Sequence, residues 1–205
     1  MTSGVPDSSR ARLLTAGKAL FARGGFEQTS TSAVARKAGT SESQLVRYFT
    51  GKAGLLEAIF EDAWTPMNAH IHDMLADASS GRAAVNGVLT TVLAAFDRDD
   101  DLATLFLFEG RRIRGSEVRL SSGFVAFNDV VVRLIKRGQK DGSFAPSFDA
   151  TALAAALIGA VEAMVRERLL ARRTRSTRPF TDKQLHSIFA AMLDGFAPRP
   201  IGSTT

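Results

Sequence analysis

The 205-residue chain contains no cysteine, which excludes disulfides, thiolate metal ligation and thiol catalysis. Alternating runs of β-branched residues, the pattern of half-buried strands, are nearly absent. The longest largely apolar stretch, 150–161, covers twelve residues, short of the roughly 20 needed to cross a bilayer. Residues 1–10 are polar and lead directly into helical patterning, so no secretory signal is read and a soluble, cytoplasmic, non-membrane protein is expected. A phosphate-cradling glycine loop, an HExxH pair and a nucleophile elbow are all missing. No enzyme, catalytic residue or cofactor is therefore expected. His70 and His72, two apart on a helix, point to different sides, and Asp97 to Asp101 reads as a solvated turn, so no metal site is expected either.

Apolar residues make up 45% of the chain and charged residues 23%, which is enough for a packed core. The net charge of +5 is unevenly placed. Residues 1–52 hold eight Lys/Arg (Arg10, Arg12, Lys18, Arg23, Arg36, Lys37, Arg47 and Lys52) against Asp7, Glu27 and Glu42. Of the 26 basic and 21 acidic residues, the other 153 positions keep eighteen of each, which cancel. A short basic module attached to a neutral body suggests an anionic partner for the module, nucleic acid first.

Apolar spacing at i, i+3 and i+4 recurs almost throughout and predicts an all-α protein of about nine helices. The first spans about 9–23, capped by Asp7, Ser8 or Ser9, with Leu13, Ala16, Leu20 and Phe21 on one face and Gly24-Gly25 as its stop. A short helix follows over 31–38, capped by Ser30 and ended by Gly39. The next opens at Ser41, with Gln44 at the capping-box position and Leu45, Tyr48 and Phe49 as anchors. A fourth begins at Lys52, and Pro66 is expected to end or kink it near residues 64–65. Further helices are expected over 82–96 and 102–109, over 117–136 with Gly138 as its stop, and over 150–173 and 182–196. Residues 198–205 read as a frayed tail.

Two short helices joined by Gly39-Thr40 form a helix-turn-helix pattern. Ser41, Glu42, Ser43, Gln44 and Arg47 place donors and acceptors on the outer side and N-terminal end of its second helix, which suits a major groove about 12 Å wide. Ser30, Thr31, Ser32 and Lys52 offer amides, hydroxyls and a cation to phosphates. Glu42 either accepts from a cytosine amino group or complements the helix dipole. Arg47 reads guanine or grips phosphate. Tyr48 is chiefly a core anchor whose hydroxyl reaches toward a phosphate.

Gly25-Phe26, Thr29-Ser30, Val34-Ala35, Ala38-Gly39, Ser41, Leu45, Tyr48-Phe49, Lys52 and Leu55-Leu56 resemble, in register, the N-terminal signature of the TetR-type (tetracycline-repressor) regulators over about residues 12–60. The chain departs from it twice. Val46 stands where the family has a tyrosine, and Ala53-Gly54 follows the lysine where the family favours an acidic residue. The resemblance implies a homodimeric repressor in which 1–52 reads a near-palindromic DNA operator and 53–205 binds a small-molecule effector and dimerises. An activator, or a ligand-binding helical protein without DNA, are the alternatives.

Within the body, Trp64, Phe96, Phe106, Glu109, Phe124 and Phe127 are candidates for an effector pocket, the alternative being a plain core. The alanine-rich segment around Gly159 permits close helix approach. Leu157, Gly159, Val161, Ile188, Phe189 and Met192 are therefore candidates for a dimer seam built from the last two helices.

Overall fold

The computed structural model describes residues 8–114, 117–120, 122–176 and 180–198; Asp7 and the expected tail from residue 199 onward lie outside them. Nine α-helices and one short hairpin occur among the described residues. Two compact units divide the chain, Met1–Thr65 with Asp99–Phe124, and Pro66–Arg98 with Val125–Thr205.

The first unit holds α1 (Ser9–Gly24), α2 (Thr31–Lys37), α3 (Glu42–Phe49), the start of α4 (Lys52–Ala76) and α6 (Asp100–Glu109). Ser8 caps α1 by accepting from the Ala11 amide at 3.2 Å, and Gly25, at φ 80°, lets the chain leave the helix. α1 buries Leu13, Leu14, Ala16 and Phe21 and packs on α6. Gly17 lets α4 come close, since a β-carbon there would stand 2.9 Å from Leu55 Cδ2. The Arg12 side chain donates from Nε to the Ala38 carbonyl at 3.0 Å, which fixes the turn between α2 and α3 to α1.

In the second unit α5 (Gly81–Arg98) packs on α8 (Ala150–Arg173) and α9 (Asp182–Gly195), and α7 (Ser122–Asp141) contributes all but its first residues. Val85, Val88, Leu89, Val92 and Phe96 meet a core that includes Leu153, Leu157, Val161, Leu185, Phe189 and Leu193. Thr181 and Gln184 form a reciprocal capping box at the head of α9. Arg168, 2% exposed, is held by Asp97 and by Asp182 at 2.6 Å.

Four expectations are corrected. α4 continues through Pro66 to Ala76, because the buried series Ile59, Phe60, Trp64, Met67 and Ile71 runs across the proline and packing on that stripe outweighs the lost hydrogen bond. Residues 117–120 are not helical. β2 (Glu117–Leu120) pairs antiparallel with β1 (Arg111–Arg114), Arg112 opposite Arg119 and Ile113 opposite Val118. The signal was legible as charged/apolar alternation on either side of a Gly-Ser dipeptide. Gly138 does not stop α7, which runs to Asp141; it is glycine for space, a β-carbon there meeting Phe144 Cδ2 at 2.4 Å. Lastly, Ser41 accepts from the Gln44 amide at 3.3 Å, but the return bond of a capping box is not among the described bonds.

Two carboxylates link the fold to pH. Burial pushes the Asp99 carboxyl up, but the Lys18 ammonium at 2.5 Å and the Leu102 amide at 2.9 Å outweigh it and hold the group below its usual 3.8. Hydrogen bonds from the Ser143 side chain and from the Gly81 amide hold Asp141 below 3.8 as well. A folded-state value below the unfolded one contributes stability that is complete above about pH 4 and is lost as pH falls through the folded value. Urea midpoints are therefore expected to be insensitive to these groups between about pH 5 and 7 and to fall below about pH 4. Asp141→Asn should flatten that acid limb, and an unchanged limb would remove Asp141 from it.

Candidate nucleic-acid interface

The helix-turn-helix is built by three caps. Ser30 accepts from the Ala33 amide at 3.2 Å to start α2, and Ser41 starts α3. Thr50, in the left-handed region at φ 56°, ends α3 with its amide on the Val46 carbonyl at 2.8 Å. Leu45 and Phe49 are buried and Gln44 is half-buried, and the other residues of α3 face outward.

The expected contact residues gather on that outer side. Ser41, Glu42, Ser43 and Arg47 are exposed, as are Ser30 and Ser32 at the start of α2, while Thr31, Gln44 and Lys52 are half-buried. Tyr48, expected as a core anchor, is exposed too, and only Leu45 and Phe49 anchor the helix. Thr31 donates to Glu42 at 3.3 Å, which links the first turns of α2 and α3. The Arg47 guanidinium lies over the Tyr48 ring at 5.1 Å and donates to its hydroxyl at 3.3 Å, so the two act as one cationic unit. Gln44 Oε1 is shielded from solvent and has no hydrogen-bond partner among the described residues. Lys52 is held inward: its ammonium donates to the Phe26 and Glu27 carbonyls at 2.9 and 3.1 Å and lies over the Phe26 ring. It braces the loop before α2 as well as carrying charge.

The two departures from the resembled signature, Val46 and Gly54, both lie in this region. Val46 is 54% exposed on the outer side of α3. Gly54 is needed where it stands, because a β-carbon there would lie 1.8 Å from the Phe49 carbonyl oxygen. Gly54→Ala is expected to force the turn between α3 and α4 apart, at an overpacking cost of about 1–3 kcal/mol. A thermal midpoint equal to wild type would show that the turn yields freely.

This geometry, a capped helix with a polar outer face set on a three-helix core, has a counterpart among known proteins. Residues 13–59 match the family model of the bacterial regulatory proteins, tetR family. Residues 13–59 are thus similar to the DNA-binding region of the TetR-type regulators. BetI, an HTH-type transcriptional regulator of Vibrio campbellii, is 26% identical over 106 residues, 51% of this chain and 53% of BetI, so the match spans about half of that relative. The fatty acid degradation regulator FadR from Bacillus halodurans has a similar structure, with TM-score 0.79 at 17% identity over 95% of this chain and 97% of FadR. FadR from Bacillus subtilis, solved in complex with stearoyl-CoA, gives 0.73 at 15% identity over 91% and 96%. The fold of these two structures is therefore shared along nearly the whole chain.

Within residues 53–205 the expected pocket residues are buried, apart from Glu109. Trp64, Phe106 and Phe124 form a continuous ring cluster, Phe106 lying 5.8 Å from Trp64 and 6.0 Å from Phe124. Glu109 accepts from the Phe26 amide at 3.4 Å. Phe96 and Phe127 are core residues of the second unit. A separate groove of about 750 Å³ lies between the C-terminal half of α4 and α7, walled by Ile71, Leu75, Val130 and Leu134 and edged by Asn68 and Arg133. Of the expected seam residues, Gly159 and Ile188 are exposed and Met192 is half-buried, whereas Leu157, Val161 and Phe189 point into the protomer core.

Proposed function

We propose that the protein is a homodimeric, cytoplasmic transcriptional repressor. It binds a near-palindromic operator through α2 and α3 and is released by a small-molecule effector held in the body over 53–205. The observation that carries this reading is the outer face of α3. Ser43 and Arg47 offer hydrogen-bonding groups there, with the half-buried Gln44 beside them, above a core face of Leu45 and Phe49 that fixes their direction. The excess positive charge of residues 1–52 supplies the long-range attraction to phosphate.

An apolar effector suits the body, given the α4–α7 groove and the neighbouring FadR structure with its stearoyl-CoA. Release requires the effector to bind the operator-free arrangement more tightly than the bound one, and by linkage the operator weakens effector binding by the same factor. Because Trp64 is the single tryptophan, its emission and operator release should report one transition at one effector concentration.

Selection from random duplex DNA followed by footprinting tests the reading. A protected near-palindrome is the expected outcome, and recovery of no preferred sequence would refute it. On the selected duplex, Gln44→Ala should lose discrimination at one base pair per half-site, by about 1–3 kcal/mol. Unchanged base preference would remove Gln44 from the base-reading residues.

A further inference from the structure

Val46 is an anomaly on a polar surface. It is the fifth residue of α3, beside Arg47 and two residues beyond Gln44, and leaves more than half of a β-branched apolar side chain in water. Neither the fold nor the helix explains it. Leu45 and Phe49 already fill the core side, and valine is a weaker helix former than alanine or the long polar residues. It also has no hydrogen-bonding group for a phosphate or a base edge.

The major groove offers one apolar feature, the 5-methyl group of thymine; adenine, guanine and cytosine present donors and acceptors there. A valine presented to the groove by the outer side of α3 therefore gains only at thymine, where methyl and isopropyl groups leave water together. At a cytosine it would cover the amino donor without a partner. We propose that Val46 reads the 5-methyl group of a thymine in each half-site of the operator, as a specificity-determining residue additional to Gln44 and Arg47. The inference rests on the DNA-reading function proposed above.

The test uses the full-length protein and the duplex it selects. Thymines are replaced in symmetry-related pairs by deoxyuridine, which deletes only the methyl group, and affinity is measured by fluorescence anisotropy for wild type and Val46→Ala. One pair is expected to weaken wild-type binding about fourfold per half-site, the worth of one buried methyl, and to leave Val46→Ala binding unchanged. Alanine at this exposed helical position favours the fold, and Val46→Thr, which keeps one methyl group, should retain part of the deoxyuridine sensitivity. If every deoxyuridine pair affects wild type and Val46→Ala equally, the proposal is overturned while the DNA-reading function stands. Failure to select any duplex overturns both.

Discussion

Ile188→Asp is expected to give monomers and to weaken operator binding by about 10²–10⁴-fold, because each head then binds without the effective concentration its partner supplies. The exposed side of α8 is a strip of small residues, Ala152, Ala155, Ala156, Gly159 and Ala163, at helical spacing. A β-carbon on Gly159 would meet nothing within 4 Å in the protomer, so a partner helix can come close there. On α9, Ile188 is 51% exposed, a large apolar group left half in water by its own chain. A carboxylate at that position would have to lose its water in an apolar seam. Gly159→Arg should act in the same direction by bulk. Phe189, 2% exposed, is unsuitable for this purpose, since a charge there would unfold the protomer. Sedimentation equilibrium and anisotropy on the same samples decide the matter. Intact dimers with wild-type affinity in both variants would move the seam elsewhere.

The second large effect concerns stability. Asp97→Ala is expected to lower it by roughly 3 kcal/mol, the typical cost of leaving a buried charge short of its partner. Arg168 keeps Asp182 at 2.6 Å and the Phe180 ring at 5.3 Å, but loses the carboxylate of α5 that ties it to that helix. Arg172, 3.2 Å from the same carboxylate, loses that contact but keeps its bond to the carbonyl of residue 97 at 3.2 Å. For a domain of this size the corresponding fall in thermal midpoint is about 6–12 °C. Circular dichroism melts read it directly, and a midpoint within about 1 °C of wild type would mean that water replaces the carboxylate at little cost.

The head was legible in the sequence because its signals are local. Ser30, Ser41 and the glycines bound short helices, and the apolar spacing of Leu45 and Phe49 orients α3 without reference to distant residues. The departures arise where a tertiary contact overrides a local preference. Pro66 stays in a helix because Met67 and Ile71 remain buried beyond it. Gly138 and Gly54 are glycine because of what lies next to them in space, Phe144 and the Phe49 carbonyl. Which of the apolar residues on α8 and α9 point inward depended on the placement of α5. Periodicity could therefore not separate Leu157, Val161 and Phe189 from Gly159 and Ile188. Arg168 gave no sequence signal at all, since its partners lie 71 and 14 residues away.

The salt dependence of binding to the selected duplex is the most direct test of the central claim, that α2 and α3 dock a dimer on operator DNA through phosphate and base contacts. Each neutralised phosphate contributes about −0.9 to the slope of log K against log salt. A dimer using the amides, hydroxyls and arginines described above should give a steep linear plot, together with affinity for the palindrome at least about 10³-fold above that for unrelated duplex. A flat plot, or equal affinity for both duplexes, would contradict the account.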